Sequence, residues 1–108
     1  MKIRLISGQF GGRTLDTPSG NKTHPAGERV RGAMFNSLGD LPRNAEVLDA
    51  FAGSGSLGLE ALSRGAKHVT FIEKDRIANK VISENIESLG VQNVTKNIKA
   101  GVAGWSEN

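Results

Sequence analysis

The 108-residue sequence predicts an α/β fold: a partial, Rossmann-like parallel sheet of three strands with helices, preceded by a small β-hairpin and a helix. Three observations carry this. Strand-length apolar runs at about 46–50, 68–73 and 94–100 alternate with helix-period segments at about 56–64 and 75–89, and short loops between them imply parallel pairing. Val47 to Gly58 reads as a buried strand, a glycine-rich turn and a helix start, with Gly53, Gly55 and Gly58 in Gly-x-Gly-x-x-Gly spacing. The first 43 residues lack this alternation and carry turn clusters instead, Gly8-Gln9-Phe10-Gly11-Gly12 and Pro18-Ser19-Gly20-Asn21.

In order along the chain, residues 3–7 and 13–17 read as the two short strands of the hairpin. A helix follows at about Glu28 to Leu38, with Val30, Met34, Phe35 and Leu38 as its apolar face and Arg29 and Arg31 off that stripe. Gly39 stops it. Pro42-Arg43-Asn44 is a short linker, which divides the chain into 1–43, on the substrate side, and 44–108, the α/β part.

In the α/β part, the helix at 56–64 packs through Leu57, Leu59, Ala61 and Leu62 and ends at Gly65. The Val-Thr-Phe-Ile run within 68–73 favours a pleated sheet. Asp75 caps a helix to Leu89 whose apolar side is Ile77, Val81, Ile82, Ile86 and Leu89. Gly90 stops that helix, and the third strand is Val94 to Ala100. A doubly wound sheet ordinarily has five or more strands. The expectation is therefore the N-terminal part of a longer enzyme, whose first parallel strand exposes an open apolar edge that invites self-association.

Composition is ordinary for a soluble globular protein, 37% hydrophobic and 23% charged. There is no cysteine, which excludes disulfides and cysteine-ligated metal and fits a cytoplasmic location. No stretch has the length of a membrane span or signal peptide. The net charge of +3 is uneven: residues 1–43 carry seven Lys or Arg against three acids, and residues 44–108 seven against eight. The basic half suits a polyanion such as RNA, though a plain solvated surface has the same composition. No His/Asp/Glu cluster has metal-ligand spacing, and no histidine is placed to activate Ser54 or Ser56.

The chemistry concentrates at the glycine turn. Asp49 lies four residues before Gly53, and Glu73 lies 20 residues after it, where an acid accepts hydrogen bonds from both ribose hydroxyls. A dinucleotide would set its pyrophosphate over the helix N-terminus, and Asp49 just below would repel it. S-adenosylmethionine has no phosphate and carries an ammonium that suits Asp49. The residues thus favour the methyl donor. Two alternatives stay open: a nicotinamide-dependent oxidoreductase fragment, and a glycine turn that only packs strand against helix. Gly53 and Gly55 read as close-approach glycines and Gly58 as a helix-to-strand packing glycine; Phe51 and Lys74 read either as flanking the adenosyl group or as a core residue and a solvated lysine.

The run Asp-Ala-Phe-Ala-Gly-Ser-Gly-Ser-Leu-Gly-Leu-Glu-Ala-Leu-Ser-Arg-Gly-Ala at 49–66 resembles the small-subunit (16S) ribosomal RNA guanine-N2 methyltransferases, an S-adenosylmethionine-dependent family. Two further segments agree: Ile3 to Arg13 looks like that family's N-terminal hairpin, and Glu28-Arg29-Val30-Arg31 with Met34-Phe35-Asn36 looks like its Asp-Arg-Val-Arg helix. The resemblance implies a methyltransferase fold, S-adenosylmethionine as cofactor and ribosomal RNA or the small subunit as partner. It implies donor-binding roles for Asp49, Phe51, Gly53, Ser54, Gly55, Glu73, Lys74 and the backbone at Gly101. It implies substrate-side roles for Arg13, Thr23, His24, Arg29 and Arg31.

There are three departures. Thr23-His24-Pro25-Ala26 stands where the family reads Thr-Arg-Pro-Thr, Gly32 stands where it tends to have Glu, and Ala100-Gly101-Val102 stands where the family has a polar residue that contacts the adenine, which leaves only backbone for that contact. The family's catalytic Asn/Asp-Pro-Pro-aromatic motif, which serves DNA adenine methylation equally, does not occur: the prolines are Pro18, Pro25 and Pro42. In the family that motif holds the target amine while its lone pair attacks the sulfonium methyl in line. This chain alone is therefore expected to be inactive, with no catalytic residue of its own.

Overall fold

The computed structural model describes residues 2–18, 27–50 and 52–101. Strands β1 (Lys2–Arg4) and β2 (Thr14–Asp16) form an antiparallel hairpin in the register Lys2–Asp16, Ile3–Leu15, Arg4–Thr14. The pairing is shorter than the apolar pattern suggests, for a physical reason. The N–H groups of Ile6 and Ser7 leave the ladder and donate to the Glu60 carboxylate at 2.9 and 3.2 Å.

Helix α1 (Glu28–Leu38) has the expected bounds and ends at Gly39, whose N–H returns to the Phe35 carbonyl. Its buried face differs from the expectation. Arg31 and Phe35 point inward, whereas Val30, Met34 and Leu38 stay exposed. Met34 and Leu38 instead border an apolar groove of about 280 Å³ that also reaches Leu41, Leu48, Leu57 and Asp49.

The α/β part runs β3 (Glu46–Ala50), α2 (Ser56–Ser63), β4 (His68–Ile72), α3 (Arg76–Leu89), a 3-10 turn (Gln92–Val94) and β5 (Thr95–Ile98). The strands lie in the order β3-β4-β5, all parallel, with Asp49 opposite Phe71 and Phe71 opposite Asn97. Asp75 caps α3 by accepting the Ala78 N–H at 2.8 Å, a contribution of about 1 kcal/mol. Ile77, expected in the packed face of α3, is half exposed, and Asn85 is buried there instead. Among the described residues β3 has one unpaired edge, and Leu48 on it is 48% exposed.

One apolar cluster runs from Leu5, Leu15 and Phe35 through Leu59 and Leu62 to Val69, Phe71, Ile82 and Ile86. The hairpin and α1 are thus packed into the same core as the sheet. No helix among the described residues is long and apolar enough to cross a membrane.

Candidate functional site

The glycine turn sits at the carboxyl end of β3, the end at which ligands bind in open α/β sheets. Gly53 and Gly55 both have positive φ, +60° and +83°, a conformation that side chains with a Cβ resist. Gly55 is the N-cap of α2 without any side-chain cap of its own. Among the described residues a Cβ at Gly53 would meet nothing within 4 Å, which leaves space over the turn there. At Gly58 the reverse holds: a Cβ would lie 2.4 Å from Phe71 Cε1 and 2.8 Å from Val69 Cγ1. Gly58 lets α2 lie directly on the sheet.

Two carboxylates accept hydrogen bonds from the backbone of the turn and of the helix start. Asp49 Oδ2 accepts the Gly58 N–H at 3.0 Å, which serves the first turn of α2 as a cap would. Among the described residues that is its one bond, which leaves Oδ1 to accept from a ligand. Glu73 Oε1 accepts the Gly53 N–H at 2.8 Å and Oε2 accepts the Asp75 N–H at 2.9 Å. A carboxylate has about four lone-pair sites, so each Glu73 oxygen keeps one for a ribose hydroxyl.

Asp49 is 9% exposed, and that burial pushes its carboxyl up from 3.8 to about 6. The Gly58 hydrogen bond opposes the rise and the nearby charge of Glu73 adds to it. A buried acid with a raised pKa at the mouth of a glycine turn is what a cationic ligand group would relieve.

Other expected site residues fall in varied places. Lys74 is exposed beside Glu73, and Gly101 follows β5, where an added Cβ would meet nothing within 4 Å among the described residues. Ser54 is buried; its hydroxyl has no hydrogen-bond partner among the described residues, and its carbonyl accepts from Asn85 at 3.1 Å. Phe51, Thr23 and His24 lie outside the described residues. Arg29 is exposed on α1. Arg13 donates to the Ser88 carbonyl near the C-terminal end of α3, at the end of the sheet away from the glycine turn.

Arg31 is a correction. The sequence suggests a helix arginine for RNA phosphate or the substrate pocket, but this side chain is fully buried. Its Nη2 donates to the Arg4 carbonyl at 2.8 Å and its Nη1 lies 3.7 Å from Glu60 Oε1. Burial pulls its pKa below the usual arginine value, against the pull of Glu60. Glu60, also fully buried, further accepts Arg64 Nε at 2.9 Å. This cluster joins α1, α2 and the hairpin.

Sequence reasoning missed Glu60 and the Asn79–Asn97 amide pair. Asn79 Nδ2 donates to Asn97 Oδ1 at 2.8 Å and to the Glu73 carbonyl at 3.4 Å, so it steadies the backbone that aims Glu73. An acid inside the apolar run Leu57 to Leu62 was the available signal for Glu60; paired asparagines 18 residues apart leave none.

A family model described as Conserved hypothetical protein 95 matches residues 3–106. Ribosomal RNA small subunit methyltransferase D of Escherichia coli (strain K12) is 45% identical over 92 residues, 85% of this chain and 46% of that protein. The protein of the same name from Haemophilus influenzae is 43% identical over 88 residues, 82% of this chain and 46% of that one. The solved structure of yhhF from Escherichia coli matches with a TM-score of 0.86 at 37% identity, covering 97% of this chain and 56% of that chain. The chain spans about half the length of the curated relatives it matches. With a family model matched over nearly the whole chain and relatives above 40% identity, this chain belongs to the Conserved hypothetical protein 95 family.

Proposed function

We propose that the turn bracketed by Asp49 and Glu73 binds S-adenosylmethionine, and that this chain is the donor-binding half of a cytoplasmic methyltransferase acting on the exocyclic N2 amine of a guanine in small-subunit ribosomal RNA. One observation carries the choice of donor: Asp49 already occupies the Gly58 N–H at the start of α2. A dinucleotide pyrophosphate needs the amides of that helix terminus and would face the carboxylate. An ammonium placed at Oδ1 would instead gain a charge-assisted hydrogen bond. When bound, the donor supplies an electrophilic methyl on its sulfonium. The residues of this chain bind and orient it: Asp49 at the ammonium, Glu73 at the ribose, and the turn backbone at the carboxylate and adenosyl groups. Exposed Arg29, with Arg13, Thr23 and His24, forms the substrate-side reading, in which basic groups attract RNA phosphate. That the relatives from Escherichia coli and Haemophilus influenzae are named ribosomal RNA methyltransferases favours RNA over DNA adenine.

Titration calorimetry with S-adenosylhomocysteine tests this. One-to-one binding is expected, lost in Asp49→Ala and in Glu73→Ala, with no heat from NADH. NADH binding, or salt-sensitive RNA binding with no affinity for the nucleoside, would replace this reading by an oxidoreductase fragment or a plain RNA-binding module. No methyl transfer is expected from the 108-residue chain alone; labelled methyl appearing in RNA would overturn that part.

The edge of β3 is read as a self-association surface, because unpaired strand edges beside apolar side chains recruit other strands. Sedimentation should show a concentration-dependent dimer that Leu48→Lys shifts to monomer. A monomer at all concentrations would contradict it.

A further inference from the structure

Asn85 is a buried amide on the otherwise apolar face of α3, between Ile82 and Ile86. A buried amide is unfavourable unless bonded, and here every bond reaches a distant part of the chain. Its Oδ1 accepts the Asp16 N–H at 2.9 Å, and its Nδ2 donates to the Asp16 carbonyl at 3.0 Å. Asn85 thus pairs with the end of β2 much as a neighbouring strand would. The same Nδ2 donates to the Ser54 carbonyl at 3.1 Å.

That carbonyl shares a peptide plane with the Gly55 N–H, which bonds the Ala52 carbonyl at 2.8 Å. Ser54 lies between two residues of positive φ, a stretch whose glycines offer no side chain to anchor it. The other end of the hairpin is fixed to α2: Phe10 N–H donates to Ser63 Oγ at 2.9 Å, and Ser63 Oγ donates to the Ser7 carbonyl at 2.6 Å. The hairpin therefore spans from the end of α2 back to the turn that starts α2, and Asn85 closes that frame.

We propose that Asn85 is a positioning residue that registers the glycine turn against β2, so that the hairpin and the donor site respond as one body. This rests on the donor-binding reading above. By linkage, a ligand in the turn is felt at Asp16, and a polyanion on the basic hairpin is felt at the turn by the same factor.

Amide hydrogen exchange on the 108-residue chain, with and without S-adenosylhomocysteine, tests it. In the wild type the nucleoside is expected to slow exchange at Asp16, outside the donor site, along with Gly53 and Gly55. Asn85→Asp keeps an acceptor for the Asp16 N–H but loses both donated bonds. It should speed exchange at Gly55 in the unliganded chain and weaken nucleoside binding about tenfold, with the helical circular dichroism retained. Asn85→Ser serves if the aspartate variant fails to fold. The proposal is overturned if the nucleoside protects the glycines and leaves Asp16 unchanged, or if the folded variant binds as the wild type does. Absence of nucleoside binding to the wild type would defeat the donor reading; unchanged Gly55 exchange in the unliganded variant would separately defeat the brace.

Discussion

Asp49→Asn is expected to raise the stability of the chain and to lower its affinity for the methyl donor. Burial holds the Asp49 carboxyl near 6, so at pH 7.5 the folded state carries an unfavourable buried charge. A two-unit rise corresponds to about 3 kcal/mol, and Asn keeps an oxygen for the Gly58 N–H, so a gain on the order of 1–3 kcal/mol should follow. The lost charge-assisted bond to an ammonium should weaken nucleoside binding on the order of 10- to 100-fold. A residue with only a capping role would not separate the two readouts in this way.

The pH dependence follows from the same shift. The folded-state pKa lies above the unfolded one, so the folded chain takes up the proton first. The contribution of Asp49 to stability is therefore most favourable below about 4, declines as pH rises through 4 to 6, and is fully unfavourable above about 6. Donor affinity runs the other way: it should fall as pH drops through about 6, where the carboxylate becomes neutral. Asp49→Asn should flatten both slopes. Denaturant melts and titrations between pH 5 and 8 check this, and a wild-type affinity that does not change across pH 6 would remove Asp49 from the ammonium site.

Arg31→Met should destabilise the fold by about 3–5 kcal/mol, because it leaves the Glu60 carboxylate buried with its charge only partly compensated by Arg64. In a domain of this size that is a large share of the total stability, and urea unfolding should shift to a much lower midpoint. Ile6 and Ser7, whose N–H groups rest on Glu60, should lose exchange protection in the same variant. An unchanged midpoint would place the guanidinium in solvent, where RNA phosphate could reach it.

Local physics explains what was legible in the sequence. The bounds of α1 and the Asp75 cap each follow from residues within a few positions of one another, and the parallel pairing follows from the alternation of strands and helices joined by short loops. The inward turn of Arg31 depends on Glu60, 29 residues on, and no helical period encodes that partner. Of the expected apolar face of α1, Phe35 reaches the core, Met34 and Leu38 border the groove beside β3, and Val30 is exposed, because a helical period marks an apolar side without naming what covers it. Asn85 escaped notice because a polar residue among Ile82, Ile86 and Leu89 looks like an exposed position unless its partners in β2 and the glycine turn are known.

The most direct measurement is a structure of this chain with S-adenosylhomocysteine. The amino nitrogen is predicted within hydrogen-bond reach of Asp49 Oδ1, and the two ribose hydroxyls on Glu73. A nucleoside seated away from the turn, or lying there with its amino group turned from Asp49, would contradict the account.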